Sequence, residues 1–216
     1  MGILLIESSS KKIEFGYLSG NELLINETLD PEDNADKLVY YLKSAFEQNG
    51  IKTADIETVS LSNGPGSFTG LRIGSAIAKG ICFAGESKLI EIPTLDIIAN
   101  KSKTSGKVTS LIYSNSRTNE FYYCNYIFES GLLKRISDYR TGFIEEIVSD
   151  NTSSYLINEN LSNTFQEKYR EKLTDVSEIS GIISQAERTK SAILKDQYSN
   201  YRSSKPFYMK EFIPNK

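Results

Sequence analysis

Thr58-Val59-Ser60-Leu61-Ser62 runs without a break into Asn63-Gly64-Pro65-Gly66-Ser67-Phe68-Thr69-Gly70-Leu71-Arg72-Ile73-Gly74. The first five residues read as a strand, with Val59 and Leu61 on one face. The last residues open a helix in which Ile73, Ile77 and Ile81 recur every four positions. A strand feeding a glycine-rich turn and then a helix is a place where free helix N-terminal amides can hold an anion. The run lacks the Lys of a Walker loop, and Gly64, Gly66 and Gly70 are spaced GxGxxxG, looser than the dinucleotide fingerprint. The same glycines also suit a tight strand-to-helix turn. Gly70, Gly74 and Ala78 form a small-residue stripe along the helix. A helix-interior glycine costs about 1 kcal/mol against Ala, so close packing along this stripe is the expected compensation. Its neighbour can be internal or another chain.

Upstream, Ile3-Leu4-Leu5-Ile6 is a continuous apolar run, as expected of a strand buried on both faces, and Glu7-Ser8-Ser9-Ser10 is its polar turn. Ile13, Phe15 and Tyr17 alternate along a second strand, Gly20-Asn21 reads as a hairpin turn, and Glu22 to Leu29 as a third strand. Ala35, Leu38, Val39, Leu42, Ala45 and Phe46 then follow a helical period. Pro31 and Glu32 suit its entry, Asp33 or Asn34 its N-cap, and Gly50 its stop. The order is βββαβα. The second half repeats it loosely. Strands are expected at Val108 to Tyr113, Glu120 to Phe128 and Leu132 to Ile136, then a short helix at Phe143 to Val148. A strand at Tyr155 to Ile157, helices at Leu161 to Leu173 and Ile182 to about Tyr198, and a strand-like Phe207-Tyr208-Met209 complete it. Two such units imply a duplicated fold.

Composition narrows the chemistry. The 216 residues contain no His and two Cys, Cys82 and Cys124. No imidazole can act as base, proton shuttle or metal ligand, and two thiols cannot build a four-ligand zinc site or a disulfide framework. Residues 1–100 carry 8 Lys/Arg against 14 Asp/Glu, a net of −6, whereas residues 101–216 carry 17 against 14, a net of +3. With the polar stretch 100–107 this places a domain boundary at 103/104. The net charge of −3 argues against a free-standing nucleic-acid binder. No apolar stretch is long enough to span a bilayer and no basic region precedes the first apolar run, so a cytoplasmic protein with no membrane partner is expected. Lys195, Arg202, Lys205 and Lys210, interleaved with Tyr198, Tyr201 and Tyr208, could touch a nucleic-acid backbone; the blander reading is a solvated helix face followed by an edge strand.

The run Gly64 to Gly74 closely resembles the signature of the TsaB (YeaZ) family. Ile6-Glu7-Ser8-Ser9 resembles the family's Ile-Asp-Thr/Ser first turn, Asn115-Ser116-Arg117 with Glu120-Phe121-Tyr122 its Asp-Ala-Arg and Glu-Val-Tyr pattern, and Pro206-Phe207-Tyr208-Met209-Lys210 its Pro-x-Tyr-Leu-Arg. The resemblance implies an α/β chain of two ribonuclease-H-like domains of the actin, Hsp70 and sugar-kinase superfold, each βββαβα-like with a mixed sheet. The first domain, 1–103, would bind a partner; the second, 104–216, would be degenerate and end in a tail. The resemblance also implies a non-catalytic scaffold for threonylcarbamoyl modification of adenosine at position 37 of tRNA. Its partners would be a TsaD-like catalytic paralogue and a TsaE-like ATPase, with tRNA met only inside the complex and a homodimer forming when the paralogue is absent. ATP, Mg²⁺ and metal would belong to those partners, with no intrinsic cofactor here.

On this reading the partner contact would comprise Gly70, Ile73, Gly74, Ile77 and Ala78 with Leu38 and Leu42, and Gly74→Arg should leave a folded monomer unable to bind. Glu7, Ser8, Gly64, Gly66, Ser67, Thr69 and Asn115 would form a vestigial phosphate or anion site. Three departures from the family pattern bear on that site. Glu7 and Asn115 stand where the family has Asp, and Asp33-Asn34-Ala35 stands where it often has His. The catalytic paralogue's His-x-x-x-His metal pair cannot exist in this chain. The alternatives are a small-molecule kinase or ATPase of the same superfold using Glu7, Ser67 and Thr69, and, more remotely, a glycoprotease-like metallopeptidase.

Overall fold

A computed structural model describes residues 1–29, 37–149, 153–158, 169 and 171–209. In chain order the elements are β1 (Gly2–Glu7), β2 (Glu14–Ser19), β3 (Glu22–Thr28), α1 (Leu38–Gln48), β4 (Thr58–Ser62), α2 (Phe68–Gly85), β5 (Lys88–Ile92) and α3 (Thr94–Lys101). There follow β6 (Gly106–Asn115), β7 (Glu120–Glu129), β8 (Leu132–Arg135), β9 (Arg140–Phe143), α4 (Ile144–Ile147), β10 (Ser154–Ile157), β11 (Leu173–Asp175) and α5 (Gly181–Leu194). The chain divides into two units, Met1–Ile97 with Ser180–Pro206, and Ile98–Ile179 with Phe207–Lys216.

The first unit holds a five-stranded sheet in the order β3-β2-β1-β4-β5. β1, β2 and β3 form the expected antiparallel meander, turning at Gly20 with φ +60°, and β4 and β5 add in parallel. Alternation along β1 decides which layer each residue joins. Leu4 and Ile6 pack with Leu38, Leu42, Leu61, Ala78 and Cys82, under α1 and α2. Ile3 and Leu5 pack with Leu18, Ile182 and Ala186, under α5. Both faces of β1 are therefore covered, which is why its sequence is apolar without a break.

The second unit repeats the topology. Its path β8-β7-β6-β10-β11 has an antiparallel hairpin at one side and parallel additions at the other, and β9 pairs with β7 as well. Leu111, Phe121, Tyr155 and Ile157 meet Ile144, Ile147 and Val148 in its core. Each unit thus has the expected ribonuclease-H-like sheet.

Several expectations change. The boundary lies at Ile97/Ile98 rather than 103/104, and Ser180–Pro206 belongs to the first unit rather than the second. The stretch 100–107 is not all linker. Asn100 and Lys101 end α3 and are buried, and Lys101 Nζ donates to Asn158 Oδ1 (2.6 Å) and Val176 O (3.2 Å). Leu173 begins a strand instead of ending a helix, β9 replaces an unassigned stretch, and Phe207-Tyr208-Met209 is not a strand. The last helix stops at Leu194, where the chain turns through Asp196 at φ +53°, instead of continuing to Tyr198. Pro31, Glu32, Asp33, Asn34 and Ala35, most of the helix expected over Leu161 to Leu173, and Lys210 lie outside the described residues.

The return of α5 rests on buried polar contacts. Ser180 Oγ caps it by accepting from Ile182 N (3.2 Å). Gln185 Nε2 donates to Ile6 O (3.2 Å), Ser60 O and Ser60 Oγ (both 3.1 Å). Ser60 Oγ also meets Thr189 Oγ1 at 2.6 Å, and Thr189 Oγ1 donates to Gln185 O. These contacts fix the register of α5 over β1 and β4. Gln185→Leu keeps the volume but strands buried acceptors. It should cost about 1–3 kcal/mol, measured as a lower urea midpoint at unchanged slope.

Candidate functional site

Two places draw on the residues singled out by sequence: the glycine-rich loop, and the outer face of α1 and α2. At the loop, β1 ends beside β4, and Ser8 N donates to Ser62 Oγ (3.1 Å). Glu7 turns back on its own turn, with Oε1 accepting from Ser9 N (2.8 Å) and from Ser9 Oγ. Ser67 N donates to Ser9 O (2.6 Å), and Ser67 Oγ caps α2 by accepting from Gly70 N (3.2 Å). Two amides that an anion would use are thus already engaged by the chain itself.

The glycines explain the spacing. A Cβ on Gly66 would stand 2.1 Å from Ser9 O, one on Gly70 2.0 Å from Ser8 O, and one on Gly74 2.2 Å from Ser8 Oγ. The turn after β1 is pressed directly onto the backbone of α2. Glu7, Ser8, Gly64, Gly66, Ser67 and Thr69 do come together, with Gly66, Gly70 and the turn after β1 forming a packing joint. Asn115 lies in the second unit, exposed at the end of β6, where its Oδ1 accepts from Arg117 N (3.0 Å). Among the described residues no three His, Cys, Asp or Glu are grouped to hold a metal ion, and no helix is long and apolar enough to cross a membrane.

The expected partner surface must be redrawn for the same reason. Gly70, Gly74 and Ala78 face inward onto Ser8 and Leu61, and Leu38 and Leu42 belong to the core below. Gly70, Gly74, Ala78 and Leu38 cannot meet another chain without unfolding this one. Leu42, though largely buried, also borders the groove between the helices, and Ile73 and Ile77 remain half-buried. Beside them α1 and α2 border an open groove of about 550 Å³ lined by Val39, Phe46, Ile51, Ile77 and Ile81, with Gly80 in its wall. Val39 (56%), Tyr40 (70%) and Phe83 (72%) are exposed large apolar side chains on these helices. Gly80 was not singled out by sequence. A Cβ there would meet nothing within 4 Å, and exposed Ala76 and Ala84 flank it one turn away on each side. The only sequence signal for it is a second small-residue stripe, Ala76, Gly80 and Ala84, two positions out of phase with the buried one.

Burial also sets the thiol on the inner face of α2. Cys82 is fully buried, and desolvation pushes its pKa up to about 11. Tyr17 is raised too, first by burial and then by the carboxylates of Asp55 and Glu57; its hydroxyl donates to Asp55 O (3.1 Å).

Two outcomes follow from this geometry. Gly74→Arg should fail to fold, appearing as loss of the cooperative melt, in contrast to the folded monomer anticipated from sequence alone. Cys82 should resist alkylation in the native protein and react once denatured, as read by peptide mass spectrometry. Because its folded pKa is raised, its contribution is complete below the pKa of the unfolded thiol and is lost as pH rises towards about 11. The stability gap between wild type and Cys82→Ala should narrow by up to about 3 kcal/mol across that window.

The family model described as TsaD, tRNA N6-adenosine threonylcarbamoyltransferase, matches residues 32–191. A curated relative from Escherichia coli (strain K12), described as tRNA threonylcarbamoyladenosine biosynthesis protein TsaB, is 26% identical over 127 residues, covering 58% of this chain and 55% of that protein. The protein of the same description from Haemophilus influenzae is 25% identical over 155 residues, covering 70% of this chain and 64% of that one. The matched stretch therefore spans somewhat more than half the length of these relatives. The structure described as YeaZ from Pseudomonas aeruginosa superposes with a TM-score of 0.79 over 96% of this chain and 100% of that one, at 15% identity, which shows a common fold. By the extent of the family match, and by the kind of its curated relatives, the chain belongs to the TsaD family and, within it, to the TsaB (YeaZ) members.

Proposed function

We propose that the chain is a non-catalytic, activating subunit for threonylcarbamoyl modification of adenosine in tRNA. It would bind a TsaD-like catalytic paralogue, and with it a TsaE-like ATPase, through the exposed face of α1 and α2. Family membership supports the pathway. The observation that carries the surface is Gly80. A glycine inside a helix costs about 1 kcal/mol against Ala, and Gly70 and Gly74 recover that cost through contacts that exclude a Cβ. Among the described residues Gly80 has no such neighbour, and it sits in a largely apolar groove. A helix from another subunit crossing at Gly80 would supply the missing close approach. A paralogue of the same fold can offer an equivalent helix pair, and a second copy of this chain can occupy the face when the paralogue is absent.

The non-catalytic part of the reading has separate support. The chain has no His, and the loop that would cradle phosphate is occupied by the turn after β1. ATP, Mg²⁺ and metal are assigned to the partner subunits. Calorimetry with Mg-ATP separates this from the kinase or ATPase alternative, since tight binding and turnover by the isolated chain would favour the latter.

Gly80 also yields the sharper test. Gly80→Ala should raise stability by up to about 1 kcal/mol, and Gly80→Arg should fold with a melt no lower than that of wild type. Gly80→Arg should nevertheless lose at least tenfold in affinity for the TsaD-like paralogue in a pull-down titration, roughly the effect of one blocked contact near an interface centre. Wild-type capture by folded Gly80→Arg would sink the assigned surface.

A further inference from the structure

Residues 195–206 leave the end of α5 and cross the free edge of β5, where Ser199 N donates to Leu89 O (2.8 Å) in a single antiparallel bridge. The crossing is anchored on both faces of the sheet. Tyr198 packs with Ile90, Ile92 and Ala192, whereas Tyr201 packs against the core shared by α1 and α2. Covering an edge in this way blocks strand pairing with another chain. It also gathers cations. Lys88 Nζ lies 4.3 Å from the Tyr198 ring centroid, and Arg202 Nε donates to Tyr201 Oη (3.3 Å). Lys79 Nζ donates to Ser204 O, while Ser204 Oγ donates to Glu91 (2.7 Å). Lys195 and Lys205 are exposed on the same strap.

Among the described residues, none of Lys79, Lys88, Lys195, Arg202 and Lys205 forms an ion pair. Glu91 already accepts from Ser204, and Asp196 is the strap's one carboxylate. Residues 195–206 carry Lys195, Arg202 and Lys205 against Asp196, a net of +2, and Lys79 and Lys88, from a stretch 1–100 whose net charge is −6, reach the same strap, which makes a local reversal of sign. Three are spaced along the strap and two flank it, an arrangement that matches spaced charges on a polymer better than a single small anion. The strap carries no Trp, Phe or Leu, and both its tyrosines pack on the sheet, so it lacks an apolar wedge for a lipid surface.

We propose that this strap is a contact surface for the phosphate backbone of RNA. The choice of RNA among polyanions rests on the proposed function; the charge arrangement does not. The test is fluorescence anisotropy of the full chain with labelled bulk tRNA between about 50 and 200 mM salt. Wild type should bind with an affinity that falls steeply with salt. The triple variant Lys88→Gln/Arg202→Gln/Lys205→Gln should lose at least about tenfold in affinity and lower the logarithmic salt slope by about 2–3, at roughly 0.7–0.9 per cation. Lys205→Gln alone, at a side chain remote from the packed anchors, should lower it by about 1. A control triple in the second unit, Lys107→Gln/Lys134→Gln/Arg140→Gln, should change little.

Equal losses in the control, or an unchanged slope in the strap variants with unchanged melts, would overturn the proposal. So would absence of RNA binding at the lowest salt, and cosedimentation with phosphatidylserine vesicles in that case would assign the strap to membranes. Capture of the paralogue by the strap triple, with no effect on RNA, would refute the strap and spare the α1/α2 face. Loss of capture by Gly80→Arg with the RNA slope intact would leave both readings standing.

Discussion

The first unit depends on one close contact, that of the α2 backbone against the turn that ends β1. Ser8 O, Ser8 Oγ and Ser9 O stand so near Gly70, Gly74 and Gly66 that no side chain fits between them. That approach sets α2 low on the sheet, brings Leu71, Ala78 and Cys82 into the core, and leaves Ile73, Ile77 and Ile81 at its margin. The groove beside α1 is what remains above this joint. An anion cradle and a packing joint draw on the same glycines, but not at once. The turn and the cap engage Ser67 N and Gly70 N, so these two amides are no longer available to a ligand.

α2 therefore uses glycine in two ways. On the inner face glycine is required sterically and its cost is offset within the chain. On the outer face Gly80 is unconstrained, and its neighbours are small or apolar. This glycine, on a helix pair that exposes Val39, Tyr40 and Phe83, is the feature on which the proposed partner surface rests. Absence of His excludes imidazole chemistry from this chain, and the turn after β1 engages two amides of the loop.

The C-terminal return of the chain is the other organising feature. α5 closes the second face of β1, and the strap after it closes the β5 edge. Gln185, Ser60 and Thr189 are polar but wholly buried, and they lock α5 in register by bonding to one another and to two strand carbonyls. Such contacts carry no periodic apolar signal, so a helix with weak amphipathicity gave no hint of which sheet it would cover.

The amino-acid sequence by itself determined the strand–loop–helix unit, the antiparallel meander, the duplicated βββαβα theme and the exclusion of imidazole chemistry. Each of these is written in local periodicity, turn residues or composition. The tertiary structure alone decided the partition of the chain, because α5 docks through contacts between residues more than 120 positions apart. It also decided which stripe of α2 is buried. Two small-residue stripes lie on opposite faces of that helix, and the position of Ser8 against one of them distinguishes them. Helical spacing specifies which residues share a face, but which face meets the sheet is settled by the backbone that comes to lie against it.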